Sequence, residues 1–187
     1  MAVQQVVSLL ALASISAASS PNCEALVKPF LPDDLTPVYG KWLMVLGAAD
    51  PKPYHEALGS VRNSWMELSA TSESQVVTYR WGDRQFGKCH FASTNATISS
   101  GATTFTKNLA VHKGQILETC PDCLLWSDNF RNRDYTGRFL LLFTRTGKLD
   151  PDYVETFKQQ AVCLNFPEPH TYDGETEMCP YTSEDTD

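Results

Sequence analysis

Beyond residue 18 the 187-residue chain has no apolar run approaching the ~20 residues that a membrane-spanning helix requires. It also lacks any excess of basic charge: 15 Lys and Arg face 22 Asp and Glu, a formal net charge of −7. A nucleic-acid binder needs clustered cations to displace counterions, so that class is excluded. Charged residues make up only 20% of the chain and aromatics 11%, which excludes wholesale disorder. Patterns of catalytic residues are missing as well. His55, His90, His112 and His170 are scattered, with no H-E-x-x-H and no i, i+4 pair to hold a metal. There is no G-x-S-x-G elbow and no phosphate-cradling glycine loop. The expectation is no catalytic residue, no metal and no cofactor. The length suits one domain with an ample core.

What is present begins with a targeting pattern. Residues 6–18 are apolar and small, and Ser16-Ala17-Ala18 supplies the residues a signal peptidase reads. Residues 1–18 are therefore expected to be a signal peptide and 19–187 a single secreted, extracellular domain. In that compartment an even count of six cysteines reads as three disulfides, with fifteen possible pairings among Cys23, Cys89, Cys120, Cys123, Cys163 and Cys179. Asn95-Ala96-Thr97 is a glycosylation sequon consistent with the same route. Residues 168–187 hold seven of the acids and no Lys or Arg, so an electroneutral body carries an acidic tail.

Eight short segments with β character follow one another at 41–48, 61–69, 75–81, 86–94, 103–106, 110–118, 123–129 and 138–144. Ser72-Glu73-Ser74 and Gly82-Asp83 read as turns between them. Then the period changes. Asp150-Pro151 is a helix start, and Tyr153, Phe157, Ala161 and Leu164 make an apolar stripe before Pro167 and Pro169. The predicted fold is all-β: an eight-stranded antiparallel up-and-down barrel over about 40–146, with one C-terminal α-helix at about 151–164 packed outside. Closure removes the open sheet edges, and a barrel of this size can hold one small ligand. Strand alternation puts Val77, Tyr79 and Trp81 on one face, Leu124 and Trp126 on one face, and Phe139, Leu141 and Phe143 on one face. An immunoglobulin-type sandwich fits poorly. It expects a tryptophan about a dozen residues after the first bridged cysteine, whereas Trp126 lies midway between Cys89 and Cys163.

Gly40-Lys41-Trp42 opens the first segment, and Phe143-Thr144-Arg145-Thr146 closes the last, just before the helix. This arrangement resembles the lipocalin signature, in which G-x-W begins the first strand and an arginine after the last strand crosses the barrel floor. The resemblance covers residues 40–164 and implies that Gly40, Trp42 and Arg145 form a structural unit through a cation–π contact. The family's T-D-Y motif is absent. Ser127-Asp128-Asn129 imitates it, but would leave one strand before Arg145 where two are required, so the matching position is Thr119-Cys120-Pro121. That departure, with LTPVYGKW at 35–42, Gly87-Lys88-Cys89 and FKQQAVCL at 157–164, is similar to the branch containing α1-acid glycoprotein and apolipoprotein M. Fish members of that branch include carriers of tributyltin and of saxitoxin and tetrodotoxin.

The resemblance implies Cys23–Cys163 and Cys89–Cys179. That leaves Cys120 with Cys123, placed opposite each other about 5.5 Å apart if Pro121-Asp122 is a two-residue hairpin turn. A redox or metal-binding C-x-x-C is the alternative for these two, although a redox pair normally opens a helix in a βαβ setting. The implied function is a secreted carrier that binds a small, mainly hydrophobic or amphipathic ligand or toxin without covalent chemistry. The alternative is a calyx enzyme of the prostaglandin D synthase type, which needs a free Cys. The expected lining is Met44, Leu46, Trp65, Val77, Tyr79, Trp81, Leu124, Trp126, Leu141 and Phe143. Arg80 and Arg84 are candidates to steer an anionic ligand, whereas a guanidinium ligand would favour Glu67 with Tyr79 or Trp81.

Overall fold

The computed structural model describes residues 22–31, 34–173 and 178–181. The segment read as a signal peptide and half of the acidic tail, residues 174–177 and 182–187, lie outside the described residues. Eight strands run up and down: β1 Gly40–Asp50, β2 Val61–Ala70, β3 Val76–Gln85, β4 Lys88–Ser99, β5 Ala102–Lys107, β6 Ala110–Leu117, β7 Cys123–Arg131 and β8 Thr136–Thr144. Each pairs antiparallel with its neighbour in sequence, and β1 pairs with both β2 and β8, which closes the barrel. A short ninth strand, β9 His170–Thr171, adds to β1 at Leu46 and Gly47. The eight expected segments are all present.

The boundary between β3 and β4 differs from expectation. Gly82 and Asp83 are mid-strand, and the turn falls at Phe86-Gly87. Gly82 is in the strand because the Trp65 indole lies flat over it; a Cβ there would come within 2.7 Å of the Trp65 Nε1. The conformational freedom of glycine made it read as a turn, whereas its lack of a side chain is what the strand uses.

β1 carries a β-bulge between Met44 and Leu46. Met44 faces the barrel interior with Phe143, whereas Val45 and Leu46 both belong to an outer cluster. That outer cluster joins Leu125, Leu140 and Leu142 to Phe157 and Ala161 of helix α3 Pro151–Cys163. α3 is capped by the Asp150 carboxylate, which accepts from the Asp152 N–H. It ends at Cys163, four residues before Pro167. Asn165 takes a φ of 56°, the Phe166 N–H donates to the Ala161 carbonyl and the Asn165 N–H to the Val162 carbonyl, a Schellman closure. Tyr153, expected on the buried stripe, is exposed. Its place is taken by Val154, and the buried Gln160 donates to the carbonyls of Leu26 and Glu118. Gln160 thus ties the N-terminal segment, with its short helix α1 Cys23–Leu26, to α3 and the β6–β7 turn.

All three implied disulfides are present: Cys23–Cys163, Cys89–Cys179 and Cys120–Cys123. The third bridge closes a two-residue turn as expected, with its Cα atoms 5.3 Å apart, although the strand ladder does not reach it. The β6–β7 ladder stops at Leu117–Leu125, so Cys120 lies in the connecting loop and Cys123 opens β7, the turn between them closed by Cys123 N–H donating to the Cys120 carbonyl. Pro121 and Asp122, the latter at φ 55°, occupy the middle of that turn. A further element went unanticipated: helix α2 Lys52–Gly59 between β1 and β2. Its Pro51 and Pro53 sit at or before the first helical turn, where a missing N–H costs nothing.

Candidate functional site

The barrel is closed at one end by its own motif residues. Trp42 is buried, and its Nε1 donates to the Val38 carbonyl at 2.8 Å. The Arg145 guanidinium lies 3.4 Å from the centre of the Trp42 ring, while its NH groups donate to the carbonyls of Lys41 and Pro37. Gly40 has a φ of +93°, and a Cβ there would press within 3.2 Å of the guanidinium. Burial against the indole draws the Arg145 pKa below its ordinary value. Val77 and Leu124 point inward near this end and belong to the inner core with Trp42 rather than to the cavity wall.

Above the floor lies a cavity of about 340 Å³. Tyr79 and Trp81 stack at 4.5 Å, with Trp126 4.9 Å and Phe105 5.5 Å from Tyr79. Met44, Leu141 and Phe143 complete that wall. Helix α2 lies over the opening: Tyr54 meets Phe130 edge-on at 5.0 Å, and Ala57 and Leu58 face the cavity. α2 is held from behind, because Tyr172 donates its hydroxyl to the Leu58 carbonyl and His170 stacks on His55 at 4.1 Å.

The wall is not wholly apolar. His112 Nδ1 and Asp128 Oδ2 are 2.6 Å apart, and the His112 ring is sandwiched between Phe105 and Phe130. Asp128 is 93% buried, and its Oδ1 has no hydrogen-bond partner. Asp83 enters the cavity from β3, and burial raises its pKa, partly offset by a hydrogen bond with Ser64. Burial likewise raises the Tyr79 phenol, with Asp83 and Asp128 adding to the effect. Lys107 reaches the same space, donating to the Ser93 carbonyl beside Trp81. Among the described residues, no three His, Cys, Asp or Glu side chains converge on a metal position.

Of the residues expected to line the calyx, Met44, Tyr79, Trp81, Trp126, Leu141 and Phe143 face the cavity. Two are corrected. Leu46 faces outward onto the α3 layer because the β1 bulge adds one residue and reverses the parity beyond it. Trp65 also faces outward. It is 1% exposed because the C-terminal segment covers it: its Nε1 donates to the Cys179 carbonyl, and the Tyr181 ring lies 5.0 Å away. Glu67 and Arg80 share that outer face with Tyr181, so Glu67 is separated from Tyr79 and Trp81 by the sheet. Asp83, Phe105, His112 and Asp128 were missed. Continuing the alternation from Tyr79 and Trp81 gives Asp83, and from Leu124 and Trp126 gives Asp128. The supposed turn at Gly82-Asp83 and the search for a T-D-Y match concealed both.

Sequence comparison now decides the family. The model of the ApoM domain matches residues 14–183. The chain belongs to the ApoM family of lipocalins. Saxitoxin and tetrodotoxin-binding protein 2 of Takifugu pardalis is 28% identical to this lipocalin, over 91% of the chain and 48% of that protein. Saxitoxin and tetrodotoxin-binding protein 1 of the same species is 27% identical over 86% and 45%. The chain spans about half the length of these relatives. Among solved structures, the siderocalin Ex-FABP superposes with a TM-score of 0.65 at 14% identity, covering 75% of this chain and 97% of its own. Aphrodisin from the female hamster gives 0.63 at 17%, covering 77% and 99%. At these identities the likeness establishes the calyx fold.

One pH effect follows from the contacts of α2. Burial first, and then the charge of the stacked His170, lowers the His55 pKa from its ordinary 6.5, with Glu56 opposing. A depressed histidine favours the neutral, folded arrangement. The stability it protects is therefore complete above about pH 6.5 and is lost as pH falls toward the lowered native value. Amide protection factors in α2 are expected to drop over that interval while those of β7 and β8 hold. His55→Gln should flatten the dependence. Uniform loss across the barrel would refute a local effect.

Proposed function

We propose that this lipocalin is a secreted carrier that sequesters one small, largely hydrophobic ligand or toxin in its calyx. The observation that carries the reading is the aromatic cavity of about 340 Å³ with the buried, unpartnered Asp128 Oδ1 in its wall. Ligand pockets combine a mostly apolar lining with a few fixed polar groups, and this cavity has that composition. Burying 200–300 Å2 of ligand is worth about 5–7 kcal/mol before orientational costs, equivalent to a Kd of about 10–200 μM, and the polar contacts must add to it. The polar end of the ligand is proposed to carry a donor, an amine, guanidinium or hydroxyl, because the carboxylate can only accept. The two Takifugu relatives, named for binding saxitoxin and tetrodotoxin, support a carrier role. A calyx thiol enzyme would need a free cysteine, and all six are bridged.

Tryptophan emission supplies the test, because Trp81 and Trp126 both face the cavity. Apolar probes are expected to shift or quench emission saturably at one site per chain. Asp128→Asn should weaken an amine-bearing probe about tenfold or more and leave its neutral analogue unchanged. If no probe responds at tens of micromolar, the carrier reading fails.

A further inference from the structure

The turns at the two ends of the barrel differ in chemistry. At the closed end the β2–β3, β4–β5 and β6–β7 connections are residues 71–75, 100–101 and 118–122. They are polar or small, they carry Glu73, Glu118 and Asp122, and they contain no Lys or Arg. At the open end each hairpin presents a large apolar side chain to solvent: Phe86 is 80% exposed, Leu109 is 90% exposed and Tyr135 is 48% exposed.

Two of these tips go against backbone preference. Pairing of Gln85 with Lys88 and of Lys107 with Ala110 leaves two-residue turns. Both central residues have positive φ: Phe86 and Gly87 at 51° and 76°, Asn108 and Leu109 at 49° and 63°. Such turns favour Asn, Asp or Gly, and a bulky side chain there is strained. The matching turn at the closed end, between Ser99 and Ala102, uses Ser100 and Gly101. The open end therefore keeps Phe and Leu in positions that oppose them both by exposure and by conformation. Neither residue packs in the core clusters of the barrel.

Cations surround these tips. Lys88 follows Phe86, Arg131 ends β7 before the Tyr135 turn and Arg133 lies within it, and Arg62 and the Lys52 of α2 complete the rim, all exposed. Glu56 pairs with Lys52, and Asp134 is the other exposed acid in these turns. A chain of net charge −7 thus gathers cations and apolar tips around its cavity mouth, whereas the hairpin turns of the opposite end carry acids and no cation. Apolar tips set among Lys and Arg match the interface of an anionic lipid bilayer, where side chains enter the headgroup region and cations meet the phosphates. Asn95, the sequon residue, lies toward the closed end of β4 beside Thr78, so a glycan there leaves the mouth uncovered.

We infer that the open end docks peripherally on anionic phospholipid surfaces through Phe86 and Leu109, with the calyx mouth facing the lipid. This surface goes beyond the carrier reading and does not depend on which ligand the cavity holds.

The test is vesicle flotation of the full-length purified protein with phosphatidylcholine alone and with about one-third phosphatidylserine. The expected result is binding to the mixed vesicles only, reduced at least tenfold by Phe86→Asn with Leu109→Gly. Those replacements suit the turns, so loss of binding cannot be a folding defect; unchanged thermal unfolding and unchanged probe quenching at Trp81 and Trp126 verify this. Lys88→Glu with Arg133→Glu should also abolish binding, and added salt should weaken it. No flotation of the unsubstituted protein, or equal flotation of the Phe86/Leu109 variant, overturns the inference. So does concentration-dependent dimerisation that disappears in that variant without vesicle binding, which would assign the tips to a second copy.

Discussion

Secretion of the double variant Cys89→Ser/Cys179→Ser is expected to fall sharply, and its midpoint of thermal unfolding to drop by many degrees. The bridge joins residues 90 apart and holds the C-terminal segment against Trp65. Cys23–Cys163, spanning 140 residues, fixes the N-terminal segment to the end of α3. On the chain-entropy account each long bridge contributes roughly 4–5 kcal/mol, a large share of a typical domain's stability. Cys120–Cys123 spans three residues inside a turn already closed by a backbone hydrogen bond. Removing it should cost under about 2 kcal/mol and leave probe binding intact. Secretion yields and unfolding midpoints of the three paired Cys→Ser variants check the order. Equal losses for all three would refute it.

The second large effect is expected at the floor. Trp42→Ala removes a buried indole and should cost about 3–5 kcal/mol. Arg145→Ala removes the stacked guanidinium and its two carbonyl bonds, at about 1–3 kcal/mol. Because each substitution already destroys the shared contact, the double variant should lose about 1 kcal/mol less than the sum. Denaturant unfolding of the four proteins measures the cycle. Additive losses would mean that stacking contributes nothing beyond packing.

The sequence made the barrel legible because alternation in the eight strands is strong and the G-x-W and arginine motifs mark both ends of the closure. The inward faces of β3, β7 and β8 were equally plain: Tyr79, Trp81, Trp126, Leu141 and Phe143 follow from a period of two. Leu46 was misassigned because a bulge shifts parity without leaving a compositional mark. Trp65 was misassigned because a tryptophan in a strand looks like interior until a distant segment covers it from outside. Its cover, residues 178–181, is joined to β4 by a disulfide that periodicity cannot reveal. Helix α2 carries its prolines at its start and was not anticipated. Asp83 and Asp128 were hidden by competing local motifs, although their own strand positions pointed inward.

The bulge at Val45 has a consequence for how the molecule can change. By turning Leu46 away from the cavity it lets one strand serve two separate packing layers. The outer layer, Leu125, Leu140, Leu142 and Phe157 under α3, is dry and nearly inaccessible. The two long bridges lie outside the barrel as well, and the floor is sealed below it. Cohesion is thus concentrated where no ligand ever reaches. Residues such as Tyr79, Lys107 and Leu141 remain partly accessible around a hollow, so exchanging them alters what fits without removing the struts. Selectivity can drift while architecture stays fixed, and a designer could rewrite the hollow residue by residue on an unaltered frame.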